Sequence, residues 1–318
     1  MKLQTQHLTI GYGNKKIQQN LSLQANAGDL ICLIGINGAG KSTLLHTLAG
    51  LLKPITGKVL LNGKSVHALS NYERSTLFSL VLTDAIVVDK MSVYDLVAMG
   101  RLPYTNWLGY LSQNDKNIIY NSLQQVNLLH KKDAYISQIS DGEKQRAIIA
   151  KALAQDTPLV LLDESTAHLD LPNRIEVMLL LRRLSVNTRK TFILSTHELD
   201  LALQMADKIW LMTTEGVQVG IPEDLMLSGI FQQVFGSNAY HFDENDGHCK
   251  INHIKGTLQV QINGENTAAK WLCKALIRCG IEVIPQADIV ISAEEQGFEY
   301  KGKKIKTIEE VLNLLMYY

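Results

Sequence analysis

The sequence predicts an α/β fold with a largely parallel sheet covered by helices on both faces. Three observations carry that expectation. Short apolar runs at residues 30–34, 159–162 and 191–194 read as fully buried strands. Helical stretches at 41–49 and 175–184 follow the first two of these runs. Strands that alternate with helices pair in parallel, because each crossover brings a helix across a sheet face.

Each element follows in order. Residues 3–10 alternate polar and apolar, Gly11-Tyr12-Gly13-Asn14 has turn chemistry, and the strand pattern resumes at 17–23. A glycine-rich loop separates the strand at 30–34 from the helix at 41–49. Pro54 and Gly57 punctuate the chain before a strand at 58–61. Residues 70–155 read as mostly helical, with 91–99 and 118–129 amphipathic. Composition shifts near Gly236. Residues 236–256 are polar and aperiodic, which predicts a linker between a first domain over 1–235 and a second over 257–318. The second shows a strand at 257–262, a helix at 267–278, strands at 281–284 and 289–292, a hairpin return at 298–301 and a helix at 307–316. That is a small α+β unit of about 60 residues, near the lower size limit for folding alone.

Composition narrows the function classes. The 318 residues are 46% apolar and 19% charged, which excludes wholesale disorder. Lys plus Arg and Asp plus Glu are each 31, so no net positive charge points to nucleic acid as a partner. No apolar run approaches the ~20 residues of a membrane span, and residues 1–10 lack the hydrophobic core of a signal peptide. Cys32, Cys249, Cys273 and Cys279 have no CxxC spacing, which argues for a reducing, cytoplasmic setting. Cys273 and Cys279 read as core packing at a helix end.

Three motifs carry chemistry. Gly35-Ile36-Asn37-Gly38-Ala39-Gly40-Lys41-Ser42-Thr43 fits GxxxxGK[ST] between a strand and a helix. Its glycines let backbone N–H groups turn inward as an anion nest, and the helix aims its positive end at the same point. Lys41 would reach the β- and γ-phosphates, and Ser42 would ligate Mg²⁺. The strand at 159–162 ends in Asp163 and Glu164. Asp163 at a strand end beside the phosphate loop suits Mg²⁺, and Glu164 is placed to polarise an attacking water. Ser140-Asp141-Gly142-Glu143 offers a hydroxyl and backbone donors to an anion. The same residues also read as an N-cap closed by a capping box, without any ligand.

This ordered set resembles the ATP-binding subunit of ABC transporters over roughly residues 1–235. The phosphate loop looks like Walker A, and Asp163 and Glu164 look like the Walker B acid and the catalytic glutamate. Ile139 to Glu143, ISDGE, looks like the LSGGQ signature. Ala167-His168-Leu169-Asp170 resembles the D-loop and Ser195-Thr196-His197 the H-loop, whose histidine contacts the γ-phosphate in the family. Tyr12 matches the aromatic that stacks on adenine. The resemblance implies a P-loop NTPase with a RecA-like core, an N-terminal antiparallel β subdomain and a helical subdomain, followed by the small C-terminal α+β unit. It implies ATP and Mg²⁺, with Lys41, Glu164 and His197 catalytic. Tyr12, Gly35, Asn37, Gly38, Ala39, Gly40, Ser42, Thr43, Ser140, Gly142, Glu143 and Asp170 would hold nucleotide.

One position departs from the family. A glutamine is expected about 40 residues after Lys41, yet none occurs between Ser70 and Ser112. Thr83 is the best-placed substitute on the metal side, and a threonine hydroxyl can meet a water but reaches less far.

Residues 91–104, continued by Trp107-Leu108-Gly109, are similar to the matching stretch of importers for iron–siderophore, haem and cobalamin complexes. That similarity implies a metal-chelate cargo. It also implies a multi-span permease docked on this surface and, indirectly, an extracytoplasmic substrate-binding protein, while the family resemblance, with one phosphate loop and one signature in the chain, implies a symmetric homodimer. The chain itself would lie peripherally at the cytoplasmic face of the inner membrane. An importer or exporter subunit for another small molecule and a non-transport regulatory nucleotide-binding module are the alternatives. In the linker, His241, Asp243, Glu244, Asp246, His248, Cys249 and His253 include metal-ligating types, but their spacing fits no metal pattern and reads as solvated chain.

Overall fold

The structure is a computed structural model that describes residues 1–82, 90–165, 169–243, 247–254 and 256–316. It divides into two compact units, one over 1–235 with 244–248 and one over 236–243 with 249–318.

The first unit opens with β1 (Lys2–Tyr12), β2 (Lys15–Leu21) and β3 (Gln24–Asn26). After β4 (Leu30–Gly35) and α1 (Lys41–Leu48) come β5 (Thr56–Leu61) and β6 (Lys64–Ser65). Strands β1, β2, β3, β5 and β6 form an antiparallel sheet in which β1 pairs with β2, β3 and β5. Then α2 (Asn71–Leu77) leads into β7 (Phe78–Val81). Three helices follow, α3 (Val93–Ala98), α4 (Gln113–Gln125) and α5 (Asp141–Ala154), packed on one another. The remainder is β8 (Leu159–Asp163), α6 (Leu171–Thr188), β9 (Thr191–Ser195), α7 (Leu199–Met205), β10 (Lys208–Met212), β11 (Val217–Gly220), α8 (Pro222–Leu227) and α9 (Ile230–Phe235).

The central sheet has the order β11-β10-β4-β9-β8-β7. All neighbours are parallel except the edge strand β11. Strands β4, β8 and β9 are buried along their whole length, which is why they read as unbroken apolar runs rather than alternating ones. Ile31, Leu33, Leu159, Leu161, Ile193, Trp210 and Met212 pack against α1 and the antiparallel sheet in one core. The opposite face is covered by α6 and α7.

Helix starts follow a repeated rule. Ser70, Ser92, Ser112 and Ser140 each cap a helix and close a capping box with an acid three residues on. The stretch read as mostly helical also holds β7. Its run Leu77-Phe78-Ser79-Leu80-Val81-Leu82 is too short for periodicity to separate a strand from a helix. The amphipathic helix expected at 118–129 lies earlier, at Gln113–Gln125, because Ser112 sets its start.

The second unit pairs β12 (Tyr240–Phe242) with β13 (Cys249–Ile251), so the segment read as a linker carries a small antiparallel pair. Then come β14 (Gln259–Asn263), α10 (Thr267–Arg278), β15 (Glu282–Val283), β16 (Ile289–Glu294), β17 (Gly297–Tyr300), β18 (Lys303–Ile305) and α11 (Ile308–Met316). The sheet order is β15-β14-β16-β17-β18, over a core that includes Val260, Leu272, Leu276, Ile291, Phe298 and Val311. Among the described residues, no group of His, Cys, Asp and Glu converges to hold a metal ion, and no helix is long and apolar enough to cross a membrane.

One buried ion pair locks the helical subdomain. Arg101 Nε donates to Asp115 Oδ1 at 2.8 Å and its Nη1 to Ala154 O at 2.8 Å, with both charged side chains almost fully buried. Burial works against the Asp115 carboxylate, but hydrogen bonds from Ser112 and Arg101 outweigh it and hold its pKa below the usual range. Arg101→Met therefore strands a buried carboxylate and should cost about 3 kcal/mol in urea unfolding. The contribution of Asp115 in the native protein is fully present above the unfolded carboxylate pKa and is lost as pH falls through the depressed folded value. An acid titration of stability should show that loss in the native chain and a smaller one in Arg101→Met.

Candidate functional site

The register of the central sheet gathers the site. Strand β9 lies between β4 and β8, and Ser195 at its end pairs with Leu33 on one side and Asp163 on the other. The loop after β4, the acids after β8 and the histidine after β9 thus leave the sheet from one edge. Ligands of parallel α/β sheets bind at that carboxyl edge.

Gly35 ends β4, and residues 36–40 turn into α1. The backbone needs glycine at position 40: its φ is 100°, and a Cβ there would lie 2.5 Å from Ile17 Cγ2. Gly38 also has positive φ, at 80°. Asn37 and Gly38 are exposed, and Ala39 and Ser42 are half-buried. Lys41 and Thr43 point inward at 5% and 6% exposure. The Lys41 ammonium folds back onto its own loop, donating to Gly35 O at 3.1 Å and Ile36 O at 3.5 Å. Burial pushes its pKa down, and the Glu164 and Asp163 carboxylates oppose that shift. Tyr12 is 55% exposed, with its hydroxyl 3.5 Å from Thr43 Oγ1, so its ring is free to stack beside the loop.

The acids are held by Ser195, the first residue of the stretch that resembles the H-loop. Buried Ser195 Oγ donates to Asp163 Oδ1 at 2.6 Å and accepts from the Glu164 backbone N at 2.9 Å. Glu164 has φ 43°, in the left-handed region that a side chain rarely adopts. This turn aims its carboxylate at His197, whose Nε2 lies 2.9 Å from Glu164 Oε1. Lys41, Asp163, Glu164 and His197 are therefore brought together. Ser42 and Asp163 carry hard oxygen donors of the kind that could hold Mg²⁺. Thr83 lies outside the described residues, as do Ala167 and His168.

The signature residues stand at the start of α5. Glu143 N donates to Ser140 Oγ at 3.3 Å and Ser140 N to Glu143 Oε2 at 3.0 Å, so the capping-box reading holds. The Ser140 hydroxyl also hydrogen-bonds the Glu143 carboxylate, so an incoming anion would have to take over that donor. Lys131 Nζ donates to Glu143 Oε1 at 2.6 Å, and this ammonium above all holds the Glu143 carboxyl below its usual pKa. Gly142 is pressed against α6: a Cβ there would lie 2.1 Å from Asn173 Oδ1. Asp170 caps α6, accepting from Asn173 N at 3.1 Å.

Sequence reasoning did not single out Ser195, Lys131 or Asn173 as site residues. Ser195 carried a signal in its place two residues before His197, whereas Lys131 and Asn173 carried none. Removing the Ser195 hydroxyl leaves a buried carboxylate and a backbone N–H each short of a partner. Ser195→Ala should cost about 2 kcal/mol of stability and slow ATP turnover roughly 10-fold, more than it changes ATP affinity. A coupled phosphate-release assay beside equilibrium nucleotide binding checks both.

Comparison with known proteins places the chain in a family. Residues 18–167 match the ABC transporter family model, and residues 236–316 match the iron ABC transporter C-terminal domain. An uncharacterised ABC transporter ATP-binding protein of Methanocaldococcus jannaschii is 38% identical over 85% of this chain and 94% of its own length. The petrobactin import ATP-binding protein FpuD of Bacillus anthracis is 35% identical over 73% of this chain and 86% of its own. The ferric enterobactin transport ATP-binding protein FepC of Escherichia coli is 31% identical over 76% and 90%. A solved transporter described as metal-chelate type, in an inward-facing conformation, superposes with TM-score 0.65 at 29% identity over 73% of this chain and 88% of that one. With the phosphate loop, the paired acids and the histidine on one sheet edge, and relatives matched over nearly their full length, the chain belongs to the ATP-binding proteins of ABC transporters.

Proposed function

We propose that this chain hydrolyses ATP to power an importer for a metal chelate of the iron–siderophore type. The observation that carries the hydrolytic half is the convergence of Lys41, Asp163, Glu164 and His197 at one strand edge. The cargo half is supported by the match of residues 236–316 to the iron ABC transporter C-terminal domain and by relatives named for petrobactin and ferric enterobactin import.

ATP would seat its phosphates in the loop over 35–43, with backbone N–H groups and the α1 N-terminus facing them. Lys41 would exchange Gly35 O and Ile36 O for phosphate oxygens. The gain is large because its charge is already poorly solvated. Tyr12 would stack on adenine. Ser42 and Asp163 would hold Mg²⁺, which supplies charge neutralisation on the phosphates. Glu164 would polarise the attacking water, and His197, relinquishing Glu164, would contact the γ-phosphate.

Ser140, Gly142, Glu143 and Asp170 would serve the ATP of a second copy. A chain with one phosphate loop and one signature is completed by a symmetric dimer. The permease would dock on the helical subdomain. There Val93, Leu96 and Val97 of α3 are buried in the subdomain's own core, so the helix face itself is not free. The following loop is different: Leu102, Leu108 and Tyr110 are exposed and Trp107 is 91% exposed. That aromatic loop is the surface offered to a permease helix. Such a subunit works peripherally at the cytoplasmic face, with an extracytoplasmic binding protein delivering cargo to the permease.

Glu164→Gln keeps size and hydrogen bonding but removes the base. Turnover should fall roughly 100-fold or more while a stable ATP-bound dimer accumulates on size exclusion. Turnover that persists in this variant would remove Glu164 from the mechanism. Purification of the tagged chain from gently solubilised membranes should bring down a multi-span permease near one-to-one. A soluble complex without one would overturn the transport reading.

A further inference from the structure

Arg174 sits in the first turn of α6, where a cation opposes the positive end of the helix. It is held there by two partners on different loops. Its Nε donates to Leu169 O at 2.6 Å, and its Nη1 donates to Glu198 Oε1 at 2.5 Å. Glu198 directly follows His197, the partner of Glu164. Leu169 directly precedes Asp170. The neighbouring Asn173 points the other way: its Nδ2 donates to Asp170 Oδ1 at 2.6 Å, and its Oδ1 lies against Gly142 with no room for a Cβ.

One helical turn therefore touches three loops of the proposed machinery. Asn173 reaches the signature glycine and the Asp170 cap. Arg174 reaches the Leu169 carbonyl and the residue beside the catalytic-site histidine. A planar guanidinium with its donors in a fixed fork transmits direction as well as distance, which a single flexible ammonium would not. We propose that Asn173 and Arg174 link the signature glycine and the Asp170 loop to the His197–Glu164 pair, with Arg174 a positioning residue for ATP hydrolysis. This rests on the dimer reading above. In that dimer Gly142 and Asp170 face the partner's ATP while His197 and Glu164 serve the chain's own. The first turn of α6 then carries the closure of one ATP site into the geometry of the other.

The pair Arg174–Glu198 is half-exposed, so its removal leaves the fold intact and permits a clean test. Arg174→Met should lower kcat for ATP about 10-fold with KM nearly unchanged, and the Hill coefficient for ATP should fall toward one. Glu198→Met should do the same. The double variant should lose no more than either single one, because both changes cut one link. Reversing the pair, Arg174→Glu with Glu198→Arg, should recover part of kcat. In the Glu164→Gln background, Arg174→Met should still form the ATP-bound dimer. Native kcat and Hill coefficient in Arg174→Met would overturn the link, as would losses that multiply in the double variant. A matched fall in melting temperature and ATP affinity would also overturn it, by showing a merely structural role. Failure of the dimer reading has a separate signature: Glu164→Gln with Arg174 intact would form no ATP-dependent dimer.

Discussion

The catalytic edge depends on one buried hydroxyl. Ser195 Oγ ties the Asp163 carboxylate to the backbone of Glu164 and sits on the strand that separates the phosphate loop from the acids. Without that bridge the buried Asp163 carboxylate and the Glu164 backbone N–H would each lose a hydrogen-bond partner. With it, Asp163 stays buried at the strand end and Glu164 adopts the left-handed turn that faces His197. Strain of this kind persists only where surrounding contacts over-determine the backbone. Here the over-determination comes from parallel pairing of β4, β9 and β8 and from a side chain small enough to fit between them.

The site is also a problem of charge containment. A buried ammonium at Lys41 stands close enough to two acids for their charges to oppose the effect of its burial, and each of the three has a temporary partner in the protein. Lys41 uses loop carbonyls, Asp163 uses Ser195, and Glu164 uses His197. None of these partners is a permanent ion pair with high desolvation cost, so each can be exchanged for nucleotide or water without breaking the fold. The permanent pair, Arg101 with Asp115, is placed away from the chemistry, where its role is to hold helices together.

Much of this was legible in the sequence because the chemistry uses local patterns. The phosphate loop needs its residues in one contiguous run, and the acids and the histidine each end an apolar strand, so periodicity and motif spacing locate them. What the sequence hid depends on contacts across the chain. β7 was concealed inside a helical region by a run too short to show a period. Ser195 became important only once register set it beside Asp163. The link through Arg174 joins residues 5 and 24 positions apart, and a cation at a helix start reads as a poor local choice until Glu198 is seen beside it. The surface of the helical subdomain was half legible. The apolar residues of α3 turned out to be core, and the exposed aromatics lie in the loop after it.

The acidic signature follows from the same logic. A carboxylate at position 143 would face the phosphates of a partner's ATP with like charge if it were free. It is not free: Lys131 takes one oxygen and the Ser140 backbone takes the other. The cation cancels the repulsion, and the second bond fixes the cap. A neutral amide at that position could also close the capping box and would need no counter-ion. The exchange of a glutamine for Glu143 is therefore tolerable only with a lysine within reach. The lysine comes from the turn after α4, so the helical subdomain supports its signature through a charge that the motif itself does not contain.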